Sequence, residues 1–416
     1  MKSYKKSLSL FQRAAKVIPC GIYGHFSPAH LVIPTAYPFF TSRAKGSHFW
    51  DVDGNEFIDY MCAYGPVVLG YCQPRVEAAA RAEYARGNCV TGASPLMIEL
   101  AEYMTAHIKG MDWALFAKNG GDVTNFSVMV ARAATGRKKI VLIKGGYHGV
   151  QPWMQSPGHM GVMMDDHANY IRVPWNDFEA FEKVVREHRG EIAGFMATPY
   201  HHPVFQDSEL PAPGYWQKIE ALCRKEGIVL IIDDVRCGFR LDLAGSHNRY
   251  GFTPDLVCFC KAIANGHPIS ALMGRDALKN TVAETFFTGS YWFSSAPMAA
   301  ALACLKELQR IKATEVLADR GKKLAEGLTQ AAASHGYNLA FSGEPAMPYF
   351  RITDDETQVL HQEWCAECTM MGAYLAPHHN WFMTTSHSDK DIKKTIDIAD
   401  KAFTIIKKRY GSGQGR

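Results

Sequence analysis

Two adjacent carboxylates close an apolar stretch near the middle of this 416-residue chain. In "IVLIIDDVRCGF", residues 228–239, the apolar run ends directly on Asp233 and Asp234. A run of this kind is typical of a strand buried on both faces of a parallel sheet. Parallel sheets bind ligands at the carboxyl ends of their strands, and a buried carboxylate without a partner is costly. The sequence therefore predicts that Asp233 faces a cationic group.

A lysine stands in a second apolar stretch further along the chain. Lys261 lies in "CFCKAIANGHPISALMG", residues 258–274. Burial lowers the pKa of a lysine, and the neutral amine is a nucleophile that can form a Schiff base with an aldehyde. A surface lysine on a loop is the alternative, and this stretch by itself does not separate the two.

A glycine-rich turn and an aromatic pair follow two other candidate strands. In "KNGGDVTNFS", residues 118–127, the turn Asn119, Gly120, Gly121 and Asp122 leads into a helix. The N–H groups at a helix start can bind an anion such as phosphate. The alternative is an ordinary glycine-rich connection.

The stretch "KGGYHGV", residues 144–150, places Tyr147 and His148 after a strand, where they are expected to project over a ligand. Both could instead be structural. Together, a phosphate cradle, an aromatic ring, a carboxylate and a lysine indicate pyridoxal phosphate (PLP), because each matches one feature of that cofactor. The lysine holds the aldehyde carbon, and the carboxylate stabilises the protonated pyridine nitrogen.

Helical and apolar strand patterns alternate between residues 97 and 233, which predicts an α/β fold with a mainly parallel sheet. Long helical patterns follow from residue 295 onward. We predict an N-terminal segment at 1–60 that packs with a smaller α+β domain at 301–416, and a large cofactor-binding domain at 61–300. "GSHFWDVDGNEFIDY" predicts a hairpin.

Composition restricts the class of protein. The chain has 45 basic and 41 acidic side chains, a formal net charge of +4, and no run of five like charges, so nucleic-acid binding is not indicated. No apolar run reaches the ~18 residues that a membrane span needs. The 11 scattered cysteines are typical of a reduced, cytoplasmic protein. One C-x-x-C pair, Cys365 and Cys368, is interpreted as a helical face rather than a metal site.

These motifs identify a resemblance to class III aminotransferases of PLP fold type I, over nearly the whole chain. "WDVDGNEFIDY" is similar to that family's N-terminal hairpin, and "NGGDVT", "YHG" and "DDVRCGFR" are similar to its N-S-G-T-E-A, Y-H-G and D-E-V-Q-T-G-F-R stretches. The resemblance implies that Lys261 forms the Schiff base and acts as general base and acid, and that Asp233 faces the pyridine nitrogen. It also implies that Val235 packs on the ring opposite Tyr147. Asp234 is expected to be structural.

"CAYGPVVLGYCQPRV", residues 62–76, resembles the glutamate-1-semialdehyde aminomutase branch, and "TGSYWFS" and "HHNWF" resemble bacterial transaminases that act on hydrolysed fumonisin. The aminomutase arginine that follows "IPGG" is absent from "IPCGIYGHFSPAH". The stretch "TPYHHP" stands where the family has E-P-x-x-x-N. His202 either substitutes for the asparagine of that pattern or lies at the rim of the site. Trp292 occupies the position of the partner-donated phosphate threonine, so Thr288 or Ser290 is expected to take over.

The resemblance implies an amine transaminase that moves an amino group from a primary amine, including a long-chain amino polyol, to pyruvate or a similar oxo acid. It also implies a homodimer. Arg236 is a candidate for the acceptor carboxylate, or a surface ion-pair residue. Aromatic residues form a candidate substrate pocket, with packing in the core or at a dimer interface as the alternative: Tyr23, Tyr64, Trp153, Trp381 and Phe382. A PLP-dependent isomerase (an aminomutase or racemase) and a non-catalytic binding protein are the competing interpretations.

Overall fold

The structure is a computed structural model that describes residues 2–24 and 33–411. Part of the "IPCGIYGHFSPAH" stretch lies outside the described residues. The chain folds into two compact units. The small unit comprises Met1–Gln73, Val204–Ser208 and Glu315–Arg416, and the large unit comprises Pro74–Pro203 and Glu209–Thr314. The domain boundaries expected from the sequence, after residues 60 and 300, stay a prediction about which parts fold independently.

Thirteen strands form within the described residues. They are β1 (Thr41–Lys45), β2 (His48–Asp51), β3 (Glu56–Asp59), β4 (Trp113–Ala117), β5 (Lys139–Ile143), β6 (Tyr170–Val173), β7 (Ile192–Ala197), β8 (Val229–Asp233), β9 (Leu256–Phe259), β10 (Ser270–Gly274), β11 (Leu339–Ser342), β12 (Tyr349–Ile352) and β13 (Ala373–Tyr374).

The same residues form twelve α-helices. They are α1 (Lys5–Ala14), α2 (Pro74–Tyr84), α3 (Leu96–His107), α4 (Gly120–Thr135), α5 (Phe178–Glu187), α6 (Tyr215–Glu226), α7 (Ser246–Tyr250), α8 (Lys279–Glu284), α9 (Ser295–Arg310), α10 (Ala313–Ser334), α11 (Val359–Met371) and α12 (Asp389–Tyr410). Short 3₁₀ turns occur at Pro34–Ala36, Cys62–Tyr64, Pro152–Met154, Met164–His167, Lys261–Ala264 and Asp276–Leu278. Over the described ranges, no helix combines the length and the apolar character that crossing a bilayer requires.

The small unit contains a four-stranded sheet in the order β1-β2-β3-β13 and a two-stranded sheet of β11 and β12. β2 and β3 pair in antiparallel register, which confirms the predicted hairpin, and β13 joins β3 in parallel. Helices α11 and α12 pack against each other in this unit. The stacked rings of Phe49 and Phe57 lie 4.9 Å apart and are buried in its core.

The large unit contains a seven-stranded sheet in the order β4-β10-β9-β8-β7-β5-β6. Every residue of β7 and β8 is buried, as expected for central strands covered on both faces. Helix α4 contributes Val123, Phe126 and Val130 to the core on one face of this sheet. The structure thus confirms the predicted α/β fold with a large, mostly parallel sheet.

One strand of this sheet is antiparallel. β10 pairs in antiparallel register with both β4 and β9. Only residues 260–269 connect β9 to β10, and a parallel return needs a crossover of about a dozen residues or more. The short connection therefore reverses the chain, and Lys261 lies at its beginning.

Candidate active site

Asp233 and Lys261 follow neighbouring strands of the large sheet. β8 and β9 run in parallel, with Asp233 opposite Cys258. β9 ends at Phe259, two residues before Lys261. The carboxylate and the amine therefore lie at the carboxyl edge of the sheet, where parallel α/β sheets bind ligands.

The carboxylate of Asp233 is held by two hydrogen bonds. Nδ1 of the buried His148 donates to Oδ2 at 2.7 Å, and the backbone N–H of Val235 donates to Oδ1 at 3.1 Å. An ionised carboxylate only accepts hydrogen bonds, so Nδ1 of His148 carries the proton. Thr124 of α4 donates its hydroxyl to the backbone carbonyl of His148 at 2.6 Å. The carboxylate is therefore fixed through His148 by the start of α4.

Lys261 is prepared for nucleophilic chemistry by its surroundings. Burial lowers the pKa of its amine to about 7, the charge of Arg236 adds to the decrease, and Asp233 opposes it. A large share of the amine is therefore neutral near pH 7, which is the reactive form. The backbone of Lys261 has φ of 44°, a left-handed conformation that is strained for a side chain of this kind and that is common at active sites.

The glycine turn forms the first turn of α4, as predicted. The carboxylate of Asp122 accepts the backbone N–H groups of Asn119 at 2.7 Å and of Lys118 at 3.2 Å. Asp122 therefore caps the turn, and its side chain is not oriented to bind an anion. Gly120 and Gly121 occupy the helix start, whose N–H groups have no intrahelical partner and favour an anion.

Close neighbours leave no room for a side chain at Gly120 or at Gly149. A Cβ added at Gly120 would lie 2.9 Å from Cγ1 of Val235. A Cβ added at Gly149, whose φ is 135°, would lie 2.9 Å from the Cα of Gly121. The start of α4 therefore packs directly on Val235 and on the loop that carries Tyr147.

The two residues of the "YH" pair face different surroundings. Tyr147 is 47% exposed, whereas His148 is 5% exposed and bonds to Asp233. The expectation that Tyr147 projects over a ligand stays a prediction, whereas His148 lies behind the carboxylate instead. Asp234 is fully buried, and its carboxylate accepts the hydroxyl of Ser246 at 2.6 Å and the Ser246 N–H at 2.9 Å. Its contacts are structural, as expected.

His202 and Arg236 contact each other. Nη1 of Arg236 donates to Nδ1 of His202 at 2.9 Å and to the His202 carbonyl at 3.2 Å. Since Nδ1 of His202 accepts from Arg236, the contact favours a role in holding the guanidinium over direct contact with a cofactor.

The loop between α8 and α9 carries the two candidates for the phosphate site of a second subunit. Thr288 and Ser290 are exposed on it, and the carbonyl of Ser290 accepts the thiol of Cys89 at 3.6 Å. Trp292 packs on Phe287, with ring centroids 4.5 Å apart. The loop therefore presents Thr288 and Ser290 outward, while Trp292 anchors it.

Two of the candidate pocket tryptophans are core residues of their own units. Trp153 is buried in the large unit, stacked on Tyr170 at 4.7 Å, and donates its indole N–H to Asn125 at 3.1 Å. Trp381 is buried in the small unit and donates to the carbonyl of Ala376 at 2.8 Å. Both follow the core-packing alternative.

The remaining aromatic candidates lie in the small unit. Tyr23 is 74% exposed, and Phe382 is buried against Gly65. Tyr64 is partly buried, and burial raises its pKa to about 12. Its ring meets the ring of His379 edge to face, with the ring centroids 5.4 Å apart. Cys62, Ala63 and Tyr64 have consecutive positive φ values of 47°, 55° and 63°. Strain concentrated in this way marks a segment of functional interest.

Sequence reasoning missed several residues that build the site. Thr124 and the pairing of His148 with Asp233 required the fold, because 85 residues separate the paired side chains. Lys118 lies directly before the glycine turn, and its sequence context assigns it no role. Its Nζ is buried, and burial lowers its pKa to about 8. The sequence feature that could have drawn attention to Lys118 is its place at the end of an otherwise apolar strand.

Comparison with known proteins identifies the class to which this fold and site belong. A family model described as aminotransferase class-III matches residues 32–386. The chain is 38% identical to an aminopentol aminotransferase of Sphingopyxis macrogoltabida, covering all of this chain and 97% of that protein. It is 30% identical to a glutamate-1-semialdehyde 2,1-aminomutase of Desulforamulus reducens, covering 98% and 99%. The chain therefore belongs to the class-III aminotransferases.

Among solved structures, the FumI protein of Sphingopyxis sp. MTA144 in its PLP internal aldimine form superposes with a TM-score of 0.95. It is 38% identical and covers 98% of each chain. These findings confirm the predicted family, the PLP fold-type I architecture and the assignment as a PLP-dependent aminotransferase.

The residues present fit the cofactor. The amine of Lys261, whose pKa burial lowers to about 7, suits the aldehyde of PLP. The buried carboxylate of Asp233, held by His148, suits the pyridine nitrogen, and the helix start at Gly120 and Gly121 suits the phosphate. When bound, PLP supplies an electron sink that stabilises negative charge on the substrate carbon.

Proposed function

We propose that this chain transfers the amino group of a primary amine to pyruvate or a similar oxo acid by a ping-pong mechanism. The first half-reaction converts the amine to a ketone or aldehyde, and the second converts the oxo acid to an amino acid. The arrangement of Lys261 beside the carboxylate that His148 holds carries the proposal. The 38% identity to an aminopentol aminotransferase over the full chain supports a long-chain amino polyol as the donor.

We assign the following roles to the residues of the site. Lys261 binds the cofactor aldehyde and then moves a proton at the substrate carbon through its neutral Nζ. Positioned proton transfer of this kind typically contributes ~10²–10⁴-fold. Asp233 compensates the charge of the pyridine nitrogen. The remaining cofactor-binding positions are Val235, Tyr147, His148 behind the carboxylate, and the start of α4 at Gly120 and Gly121, whose turn Asp122 caps.

We propose a homodimer in which Thr288 and Ser290 serve the phosphate of the other subunit. The support is the loop that carries them, since Phe286, Tyr291 and Phe293 are 83%, 69% and 46% exposed. Clustered exposed aromatic residues mark interaction surfaces. Sedimentation of the wild-type protein and of F286D tests the assembly, and an unchanged monomer in both contradicts it. The eleven cysteines, which form no disulfide among the described residues, support a cytoplasmic location.

A two-stage experiment tests the activity. Loaded protein is mixed with long-chain amino polyols, aliphatic amines and α-amino acids, first without an acceptor. Stable loss of the cofactor absorbance indicates transamination, whereas a return of the absorbance without an acceptor indicates the competing isomerase. Pyruvate and 2-oxoglutarate are then added, and the amino acid formed is quantified. Reaction with α-amino acids alone would exclude the amino polyol assignment.

A further inference from the structure

The stretch that begins α4 lacks two hydroxyl groups that its family's pattern has. In "NGGDVT", residues 119–124, Gly120 and Asp122 stand where the related N-S-G-T-E-A stretch has serine and threonine. Glycine has no side-chain donor, and an ionised carboxylate only accepts hydrogen bonds. Trp292 likewise stands where the family has the threonine that a second subunit donates. A phosphate monoester carries a charge of about −1.5 to −2 at pH 7, so side-chain donors for it must come from other positions.

Lys118 places a buried amine directly before this turn. Only Asn119 separates it from Gly120, the first residue of α4. Its Nζ is buried and has no hydrogen-bond partner among the described residues, although buried polar groups are nearly always paired. Burial lowers the pKa of the amine to about 8, so most of it still carries a proton at pH 7. The side chain thus holds a positive charge and three N–H donors without an acceptor.

The backbone of Lys118 is fixed between two parts of the candidate active site. Its N–H donates to the carboxylate of Asp122 on α4 at 3.2 Å. Its carbonyl accepts the thiol of Cys260 at 3.9 Å, and Cys260 directly precedes Lys261. The residue that carries the amine is therefore bound both to the helix start and to the segment of the Schiff-base lysine.

Cys89 connects the amine to a second segment at which phosphate binding is expected. It is close enough to Nζ of Lys118 to oppose the decrease in the pKa of the amine. The thiol of Cys89 donates to the carbonyl of Ser290 at 3.6 Å, and Ser290 lies on the loop that also carries Thr288. Lys118 thus lies between this loop and the start of α4.

We infer that Lys118 is a cofactor-binding residue whose ammonium group donates to the phosphate of PLP. Its charge offsets the carboxylate of Asp122 and replaces the hydroxyl donors that the stretch lacks, and charge-assisted hydrogen bonds are roughly twice as strong as neutral ones. A purely structural role would favour an apolar residue here, because a buried charge without a partner is costly. The inference concerns the cofactor, so it holds whichever amine and acceptor the enzyme uses.

Equilibrium binding of PLP and of pyridoxal to the full-length, cofactor-free protein tests the inference. Pyridoxal has the same ring and aldehyde without the phosphate, and the absorbance of the bound compound measures each Kd. K118M keeps the length of the side chain and removes its charge. It is expected to raise the Kd for PLP by about 10- to 100-fold, the usual range for a lost hydrogen bond to a charged group, and to change the Kd for pyridoxal by less than about threefold. K144M, at an exposed lysine that follows β5, is the matched control and keeps both values.

Further variants and a second measurement separate phosphate binding from a structural role. K118R keeps the positive charge and is expected to hold the Kd for PLP within about tenfold of the wild-type value. K118Q covers the case in which methionine impairs folding, and it is expected to weaken PLP binding as K118M does. A neighbouring cation favours the dianionic phosphate and lowers its pKa. The phosphorus-31 signal of bound PLP is therefore expected to titrate at higher pH in loaded K118M than in the loaded wild-type protein.

Three outcomes overturn the inference and are distinguishable. If K118M and K118Q keep the wild-type ratio of the two Kd values and the wild-type phosphorus-31 titration, Lys118 does not bind the phosphate, and the proposed function stands. An equal rise of the Kd for PLP and for pyridoxal would give Lys118 a structural role only. If the wild-type protein binds PLP no more tightly than pyridoxal, the phosphate site itself is wrong, whereas turnover of amine and oxo acid by the loaded wild-type protein reports separately on the proposed function.

Discussion

Two buried groups of titratable side chains in this molecule differ in what they can do. At the strand ends of the large unit, Asp233 bonds to His148 at 2.7 Å, and burial lowers the pKa of Lys261 to about 7. On α11 of the small unit, Sγ of Cys365 lies 3.7 Å from Nε2 of His361, and Cys368 is one turn further along the helix. In sequence, the "CAEC" of α11 is the more conspicuous motif of the two.

The α11 group is kept neutral by its surroundings. Burial lowers the pKa of His361 to about 4 and raises the pKa of both thiols well above the usual value. No group of three side chains suited to a metal ion occurs in residues 2–24 and 33–411. The strand-end group instead combines a carboxylate, a histidine that donates to it and an amine that titrates near pH 7. A buried titratable residue thus supports chemistry where its surroundings bring its pKa near 7, as at Lys261, and packs as an apolar residue where burial moves its pKa far from 7, as on α11.

The largest expected effect is at Lys261. K261A removes the amine that binds the cofactor and moves the proton, so kcat/KM is expected to fall by at least about 10³-fold. Steady-state turnover of amine and pyruvate measures it. K144A, an exposed lysine that follows β5, is the control and retains activity. Turnover by a folded K261A protein close to that of the wild type would contradict the role of Lys261.

The next effect distinguishes two neighbouring carboxylates. D233N keeps the shape of the side chain and removes its charge, and a fall in kcat of about 10²–10³-fold is expected. D234N is the matched control. Because the carboxylate of Asp234 bonds to Ser246, D234N is expected to lower the free energy of unfolding by about 1–3 kcal/mol and to leave kcat within a few-fold. Equal losses of kcat in both variants would remove the distinction between them.

A pH dependence follows from the lowered pKa of Lys261. The neutral fraction of an amine with a pKa of about 7 rises by about tenfold between pH 6 and pH 8. The rate at which the cofactor-free protein captures added PLP is expected to rise with it and to level off above pH 8. Stopped-flow absorbance measures the rate. A rate that keeps rising steeply to pH 10 would indicate an amine with an ordinary pKa.

The smallest effect is expected on α11. C365A and C368A each remove a sulfur from a packed core, so a loss of about 1 kcal/mol of unfolding free energy is expected for each, with kcat unchanged. C365S is expected to be less stable than C365A because it buries a hydroxyl. Urea unfolding and turnover measure the two quantities. A large loss of activity in stable alanine variants would give α11 a functional role and end the contrast with the strand-end group.

Local patterns predicted the elements and the chemical groups, but not their contacts. The apolar run before Asp233 predicted β8, and the helical spacing after Gly120 predicted α4. Both predictions succeeded because the burial of a strand and the start of a helix depend mainly on residues that are adjacent in sequence. The hydrogen bond between His148 and Asp233 depends on strand order, which no local pattern contains. The indole of Trp153 could have lined a pocket or filled the core, and only the position of Asn125 decided between them.

The fit between Gly120 and Val235 has a consequence for redesign. A Cβ added at Gly120 would lie 2.9 Å from Cγ1 and 3.1 Å from Cγ2 of Val235, so the two positions share the space on this side of the helix start. Enlarging one requires trimming the other, as in a paired exchange of G120A with V235A. The combined side-chain volume at these two positions is therefore limited. Most members of a library that varies the two positions independently are expected to pack poorly.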